Sequence, residues 1–220
     1  MVGRSVVRVG FARYDSKMED SHVALRPAQP EFEEGLLFAR YLDTAADGVF
    51  GFMLGKAADR VLAKAYMEPG HDVSYEHVTF AERGTTIIGM VSSYSSQQHR
   101  RSSDGPLIRA AAWRAPRMGA VTAIAAGLFR FLGRVPAGDF YLQAIAVDQE
   151  RRGGGVGSAL IRHAEERARS AGCARIALDV AVDNHGAQKL YERNGFVVEA
   201  TSPRSAVLPE GQVHRMAKVL

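Results

Sequence analysis

A glycine-rich turn is the segment of the sequence best suited to bind a ligand. It reads Arg151-Arg152-Gly153-Gly154-Gly155-Val156-Gly157-Ser158, follows the apolar segment 141–147 and precedes a helical pattern. A strand, a glycine-rich turn and a helix in this order point backbone N–H groups and a positive helix end at a phosphate. Glycine also leaves no side chain to hold the ligand away from the backbone. The turn therefore predicts a site for a phosphorylated ligand; the alternative is that it only reverses the chain tightly.

Two common phosphate-binding motifs do not fit this turn. The dinucleotide motif G-x-G-x-x-G lacks its third glycine, because Ser158 and Leu160 occupy the places where it would stand. The nucleotide P-loop requires Gly-Lys-Ser/Thr, and the turn contains no lysine. What remains is the pattern Arg152-x-x-Gly155-x-Gly157.

A second segment is spaced to contact the same ligand. Asn184, Ala187 and Tyr191 recur at i, i+3 and i+7, so they share one face of a predicted helix that spans ~10 Å over seven residues. Asn184 is equally suited to cap that helix. Tyr191 is either a general acid or a tyrosine that packs and forms hydrogen bonds.

The two segments together resemble the GNAT superfamily of N-acetyltransferases. Its acyl-CoA signature, Q/R-x-x-G-x-G/A, matches at Arg152, and a strand ending in Ile145-Ala146-Val147 precedes it as in the family. The pattern from Asn184 to Phe196 matches the family's second segment. The match covers about 80 residues, from Tyr141 to Leu220, whereas the first 140 residues resemble the family only loosely.

The resemblance implies an acyltransferase that moves the acetyl group of acetyl-CoA to a primary amine of a small molecule or peptide, by direct attack in a ternary complex. It implies that Tyr191 protonates the departing thiolate and that a backbone N–H near Ile145 polarises the thioester carbonyl. A macromolecular acceptor (a protein amine or aminoacyl-tRNA) and a non-catalytic acyl-CoA sensor are the alternatives. The residues implied to bind the donor are Ile145, Ala146, Val147, Arg152, Gly153, Gly154, Gly155, Val156, Gly157, Ser158, Asn184, Ala187 and Tyr191.

The group that removes the proton from the amine is not evident in the sequence. Many family members carry a glutamate near the place of Gln143, and glutamine cannot take a proton. Either a chain of waters carries the proton away or a base comes from elsewhere, with Glu76, His77 and Asp139 as candidates.

The expected fold is mixed α/β, with a central, twisted, mostly antiparallel sheet of about six to seven strands flanked by helices. By resemblance, a splayed pair of parallel strands forms the CoA cleft. Residues 1–20 are expected to form an arm and residues 21–220 one domain with a helical insertion at about 94–139. Within the insertion, 94–105 reads as a polar loop and 106–132 as two helical segments broken at Pro116. We expect the insertion to form a lid or a dimer contact.

Composition sets further expectations. The net charge of +4 suits an anionic ligand such as CoA, and without a dense basic run it does not favour nucleic acid. The longest apolar stretch, Met118 to Phe129, is shorter than the ~20 residues of a membrane span, so no membrane partner is expected. No cluster has metal-ligand spacing, so no metal is expected. A single cysteine and the lack of a signal-peptide pattern favour the cytoplasm. A homodimer is expected by analogy only.

Overall fold

The computed structural model describes residues 23–208 and 211–220, so the predicted arm at 1–20 lies outside the described residues. Within them, seven strands form one sheet in the order β1-β2-β3-β4-β5-β7-β6. Only the β4–β5 pairing among these strands is parallel. The predicted fold class is therefore confirmed. The strands are β1 Val23–Pro27, β2 Val78–Arg83, β3 Thr86–Ser95, β4 Asp139–Val147, β5 Arg175–Ala181, β6 Val197–Thr201 and β7 Val213–Val219.

Helices cover both faces of the sheet. Those described are α1 Phe32–Ala45, α2 Val49–Leu54, α3 Ala58–Tyr66, α4 Ser96–Arg101, α5 Gly105–Ala111, α6 Ala115–Ile124, α7 Ala126–Leu132, α8 Val156–Ser170 and α9 His185–Arg193. On one face, α8 buries Leu160, Ile161 and Ala164 against a cluster that includes Leu142 and Leu178. On the other, α1 and α3 pack over strands β2 to β4. The apolar positions of α8 recur with a helical period, which is why one side of it is buried.

Strands β4 and β5 separate partway along their length. They pair from Asp139–Arg175 to Leu142–Leu178 and no further. Beyond that point β4 stays paired with β3 as far as Val147, and β5 stays paired with β7 as far as Ala181. The predicted splay of the parallel pair is therefore present, and each strand is held in place by its outer neighbour.

The segment between β3 and β4 differs from the sequence-based prediction in two places. The prediction of a polar loop at 94–105 was wrong, because β3 continues to Ser95 and α4 follows it directly. Ser95 Oγ accepts a hydrogen bond from the Gln98 amide (3.2 Å) and Gln98 Oε1 accepts one from the Ser95 amide (2.8 Å), a capping box that starts the helix. The region 106–132 forms three helices rather than two segments broken at Pro116. The chain breaks at Ala112 (φ 48°), between α5 and α6, and again at Ala125, between α6 and α7. Pro116 lies in the first turn of α6, where proline is tolerated.

Helices α1 and α3 touch at a glycine. A Cβ atom on Gly35 would lie 2.9 Å from both the Cα and the carbonyl oxygen of Ala63. The neighbouring atoms are backbone atoms that cannot rotate away, so any side chain at position 35 pushes the helices apart. This contact sets the distance between the two helices that cover β2–β4.

We expect Gly35→Ala to lower the free energy of unfolding by about 1–3 kcal/mol, the usual effect of overpacking. The matched control is Gly119→Ala in α6, where a Cβ would meet no atom within 4 Å. There the gain in helix propensity should raise stability by about 0.5–1 kcal/mol. Urea unfolding of both variants measures the difference, and a Gly35→Ala protein as stable as Gly119→Ala would contradict the close contact.

Candidate functional site

A cavity of about 500 Å³ occupies the gap between β4 and β5. One wall is the second half of β4, the other is the end of β5, and the turn after β4 and helix α9 complete it. Of the thirteen residues predicted to bind the donor, all but Gly154 line this cavity. The structure thus brings together two sequence segments, 145–158 and 184–191, that are separated by 25 residues.

The glycine-rich turn leads into α8 through two left-handed residues. Gly153 and Gly155 have φ of 80° and 82°, and Gly155 is the N-cap of α8. A Cβ on either would meet no atom within 4 Å, so backbone conformation rather than crowding requires glycine there. Arg152 Nε donates to the carbonyl of Val147 (3.1 Å) and holds the turn to β4. The first-turn N–H groups of α8 therefore face the cavity mouth at the positive end of the helix.

Helix α9 is fastened to the end of β5. Gln188 Nε2 donates to the carbonyls of Ala181 (2.9 Å) and Val182 (2.8 Å). Asn184 Oδ1 accepts from the Ala187 amide (3.1 Å), so it caps the helix, and it also lines the cavity. The two interpretations of Asn184 are therefore compatible.

Helices α8 and α9 approach each other closely at Gly157. A Cβ on Gly157 would lie 3.1 Å from Leu190 Cδ2. This approach places the next residue, Tyr191, against the cavity with 7% of its surface exposed. Its ring packs edge-on to Phe196 at 5.8 Å between centroids. Burial raises the pKa of the Tyr191 phenol to about 12, so it keeps its proton at neutral pH and can donate it.

Gln143 lies at an irregularity in β4. Ser92 pairs with Ala144 and Ser93 pairs with Leu142, so Gln143 is the extra residue of a β-bulge. Its side-chain Oε1 accepts a hydrogen bond from Ser92 Oγ (2.8 Å), and the residue lines the cavity. An uncharged, hydrogen-bonded amide therefore occupies the place where a basic carboxylate was sought.

The three candidate bases do not line the cavity. Glu76 accepts a hydrogen bond from the Gly70 amide (2.8 Å) in the loop before β2. His77 is buried, and this burial lowers its pKa. Asp139 is buried at the first residue of β4 beside Arg175, at 3.4 Å, where β4 and β5 are still paired. None of these positions reaches the splayed half of β4 that forms the cavity wall.

Asp179 is a cavity residue that sequence reasoning missed. Tyr141 donates to its Oδ2 (2.8 Å), and Arg215 donates to both oxygens (3.0 and 2.7 Å). Arg215 also donates to the carbonyl of Phe131 (3.0 Å) and to that of Arg134. The buried pair thus ties β5 and β7 to the segment before β4. The sequence could have indicated Asp179, because it is an acidic residue within the otherwise apolar segment that forms β5.

Further cavity residues were also missed. Thr44 and Ala45 come from the last turn of α1, and no motif marks them. Arg151 and Arg193 add positive charge to that of Arg152. The sequence could have indicated both arginines, because Arg151 is next to Arg152 and Arg193 follows Tyr191 by two residues. No residue of the 96–138 segment is among those that line the cavity.

Metal-ligand clusters and membrane-spanning helices are both absent from residues 23–208 and 211–220. No group of three or more His, Cys, Asp or Glu side chains in this part of the chain is arranged to hold a metal ion. None of the helices described there is both long enough and apolar enough to cross a membrane.

Known proteins resemble this chain in sequence family and in fold. A family model described as the acetyltransferase (GNAT) family matches residues 56–196. A solved structure of an acetyltransferase superposes with a TM-score of 0.62 at 23% identity, covering 89% of this chain and 98% of its own. An N-acetyltransferase from Staphylococcus aureus Mu50 gives 0.59 at 16% identity, over 88% and 99%. The NatC complex bound to Gag peptide and CoA gives 0.52 at 16%, over 90% and 98%. No curated protein sequence matches the chain.

The cap on α9 can be tested by stability measurements. We expect Asn184→Ala to lower the free energy of unfolding by about 1 kcal/mol, because the Ala187 amide loses its partner. Asn184→Asp should stay close to wild type, since aspartate caps as well and its charge suits a helix N-terminus. Denaturant unfolding of the two variants decides the point. Equal losses in both would show that position 184 is not acting as a cap.

Proposed function

Because the chain belongs to the acetyltransferase (GNAT) family, we propose that it transfers the acetyl group of acetyl-CoA to a primary amine by direct attack in a ternary complex. The family is one of acyltransferases, and acetyl-CoA is its donor. The proposal for this chain concerns the residues that bind the donor and the way in which protons move.

The observation that supports the proposal is that β4, where it separates from β5, leads directly into the glycine-rich turn at 151–158. Beyond Leu142, the β5-facing edge of β4 carries backbone groups without a strand partner. An extended ligand with amide groups, such as the pantetheine arm, can pair with this edge as an added strand does. The same strand leads directly to the turn and the positive end of α8, which suits the pyrophosphate at the other end of that arm. The cavity therefore matches a ligand with amides at one end and phosphates at the other.

Two groups act on the reacting atoms in this proposal. A backbone N–H near Ile145 polarises the thioester carbonyl, so that charge developing on its oxygen meets a fixed dipole. The amine nitrogen then bonds to the carbonyl carbon, the carbon–sulfur bond breaks, and Tyr191 gives its proton to the leaving sulfur. Tyr191 suits this role because it lines the cavity and remains protonated at neutral pH.

Water takes the proton of the amine in this proposal. Among the described residues that line the cavity, Asp179 is the one carboxylate, and Tyr141 and Arg215 already donate to its two oxygens. Gln143 has no basic group to offer. The amine therefore binds in its neutral form or releases its proton through water at the cavity mouth.

Donor binding is the first test. Calorimetric titration with acetyl-CoA should give saturable one-to-one binding, and Gly155→Glu should abolish it, because the new side chain adds bulk and negative charge where the phosphates are proposed to bind. The matched control is Gly84→Glu in the turn between β2 and β3, where φ is also positive (60°) and the surroundings are open. The control should bind like wild type. Retained binding in Gly155→Glu would place the phosphates elsewhere.

The acid role of Tyr191 predicts a change in rate without a change in affinity. Tyr191→Phe should lower kcat roughly 100-fold or more, the usual contribution of a positioned acid, and leave the acetyl-CoA dissociation constant nearly unchanged. Tyr75→Phe, outside the cavity, is the control. Because burial raises the pKa of Tyr191 to about 12, the wild-type rate should show no loss from this group as the pH rises to about 10. Release of CoA measured across pH tests both points, and an unchanged rate in Tyr191→Phe would remove it from the chemistry.

A further inference from the structure

The positive charge of the chain is concentrated in the helical segment between β3 and β4. Residues 105–138 contain five arginines and no aspartate, glutamate or lysine, whereas the whole chain has a net charge of +4. The rest of the chain is therefore slightly negative. The arginines are Arg109, Arg114, Arg117, Arg130 and Arg134.

These arginine charges are largely uncompensated. Within the described residues, Arg109 is the one member with a carboxylate partner, Glu68. Arg117 donates to the carbonyl of Phe52 (2.8 Å), and Arg130 donates to a carbonyl of its own helix. Bonds to neutral carbonyls orient a guanidinium but leave its charge in place. These helices therefore carry an excess of positive charge.

Helix α6 presents to solvent a stripe of apolar residues that contains one arginine. It contains no buried residue, and its inward contacts come from half-buried Met118 and Val121. With the single turn before it, the helix carries Trp113, Arg117, Ala120 and Ile124 at i, i+4, i+7 and i+11, which is one face. Trp113 is 78% exposed and Ile124 is 70% exposed. We call these four residues the α6 stripe.

Apart from Thr122, whose hydroxyl donates to the carbonyl of Met118 (2.9 Å), the remaining outward positions of α6 are small or apolar. Pro116, Gly119 and Ala123 are exposed beside the stripe, and Arg114 lies over the Trp113 ring at 4.2 Å. Apart from its arginines, this surface offers few groups that could form directional hydrogen bonds. It does offer a tryptophan, an isoleucine and arginines whose long stems can lie along an apolar surface while their charges reach phosphate groups.

We propose that the α6 stripe docks on the surface of an anionic phospholipid bilayer. Exposed Trp113 and Ile124 can enter the apolar boundary of a bilayer, and the arginines among and around them can meet anionic headgroups. The apolar stretch from Met118 to Phe129 is too short to span a bilayer, but a helix that lies on the bilayer surface needs no such length.

A second copy of the chain is a poorer occupant of this face. A twofold contact sets the same patch against itself, so the arginines of one copy would meet those of the other. An anionic headgroup layer supplies the opposite charge. The match of charge is therefore the reason to choose a bilayer.

Trp113 allows a direct test, because it is the only tryptophan in the sequence. Vesicles of phosphatidylcholine and phosphatidylglycerol at roughly 7:3 carry the required negative surface. They should shift the tryptophan fluorescence of the full chain to the blue and reduce its quenching by acrylamide. Vesicles of phosphatidylcholine alone should do neither. Salt at about 1 M, where the Debye length is about 3 Å, should reverse the effect.

Two variants separate the contributions. Arg114→Gln with Arg117→Gln should weaken vesicle binding about 25-fold, near fivefold for each arginine. Arg162→Gln paired with Arg169→Gln, on the exposed side of α8, is the matched control and should bind like wild type. In a vesicle flotation assay, Ile124→Ala should bind less than wild type. Val197→Ala, at a site on β6 that is 62% exposed, should bind like wild type. Acetyl-CoA titration, whose cavity contains none of these residues, verifies that each variant is folded.

Several outcomes would overturn the proposal. Unchanged emission with both vesicles would do so, as would an equal shift with neutral lipid, because charge would then have no role. Sedimentation that shows a dimer lost in Ile124→Ala would assign the face to a second copy. Vesicle binding can fail while acetyl-CoA binding persists, so the result is independent of the enzyme proposal.

Discussion

The cavity of the candidate site depends on an interrupted strand pairing. Strands β4 and β5 exchange backbone hydrogen bonds as far as Leu142 and Leu178, and each then follows its other neighbour. A sheet normally satisfies every interior N–H and C=O group, and leaving such groups buried without partners costs about 1–3 kcal/mol each. Here the edge opens onto a cavity, so water or a ligand can pair with it. The bulge at Gln143 lies where the strands part, and the buried Tyr141–Asp179–Arg215 cluster lies beside it.

The sequence predicted the second half of this fold well, because its motifs are local. The turn at 151–158 and the spacing from Asn184 to Tyr191 each depend on a few adjacent residues whose conformations are set by glycine and by helix period. The structure added what those motifs cannot specify. Asp179 lines the cavity from β5 and is paired there with Arg215 of β7, and Thr44 reaches the cavity because α1 packs against β4. The loop assigned to 94–105 failed for a related reason: polar residues can form a capped helix as readily as a loop.

The distribution of charge shows the limits of composition. A net charge of +4 was interpreted as a match for an anionic ligand, but the excess belongs to the segment 105–138, which contributes no residue to the cavity lining. The positive charge near the cavity comes from a few arginines close to the helix end, where position counts more than number. The two proposed functions that depend on electrostatics thus lie in two separate parts of the molecule.

The position of β7 has a consequence for synthesis of the protein. Strand β7 lies between β5 and β6, although it follows both in sequence. Until residues 213–219 leave the ribosome, β5 has no partner on that side, and Asp179 lacks the guanidinium that neutralises it. Pairing across such distances is slow and exposes unpaired edges while the chain waits. The nascent chain therefore exposes the β7-side edge of β5 until residues 213–219 pair with it, so chaperones that bind unpaired strand edges should release the chain only after β7 has formed.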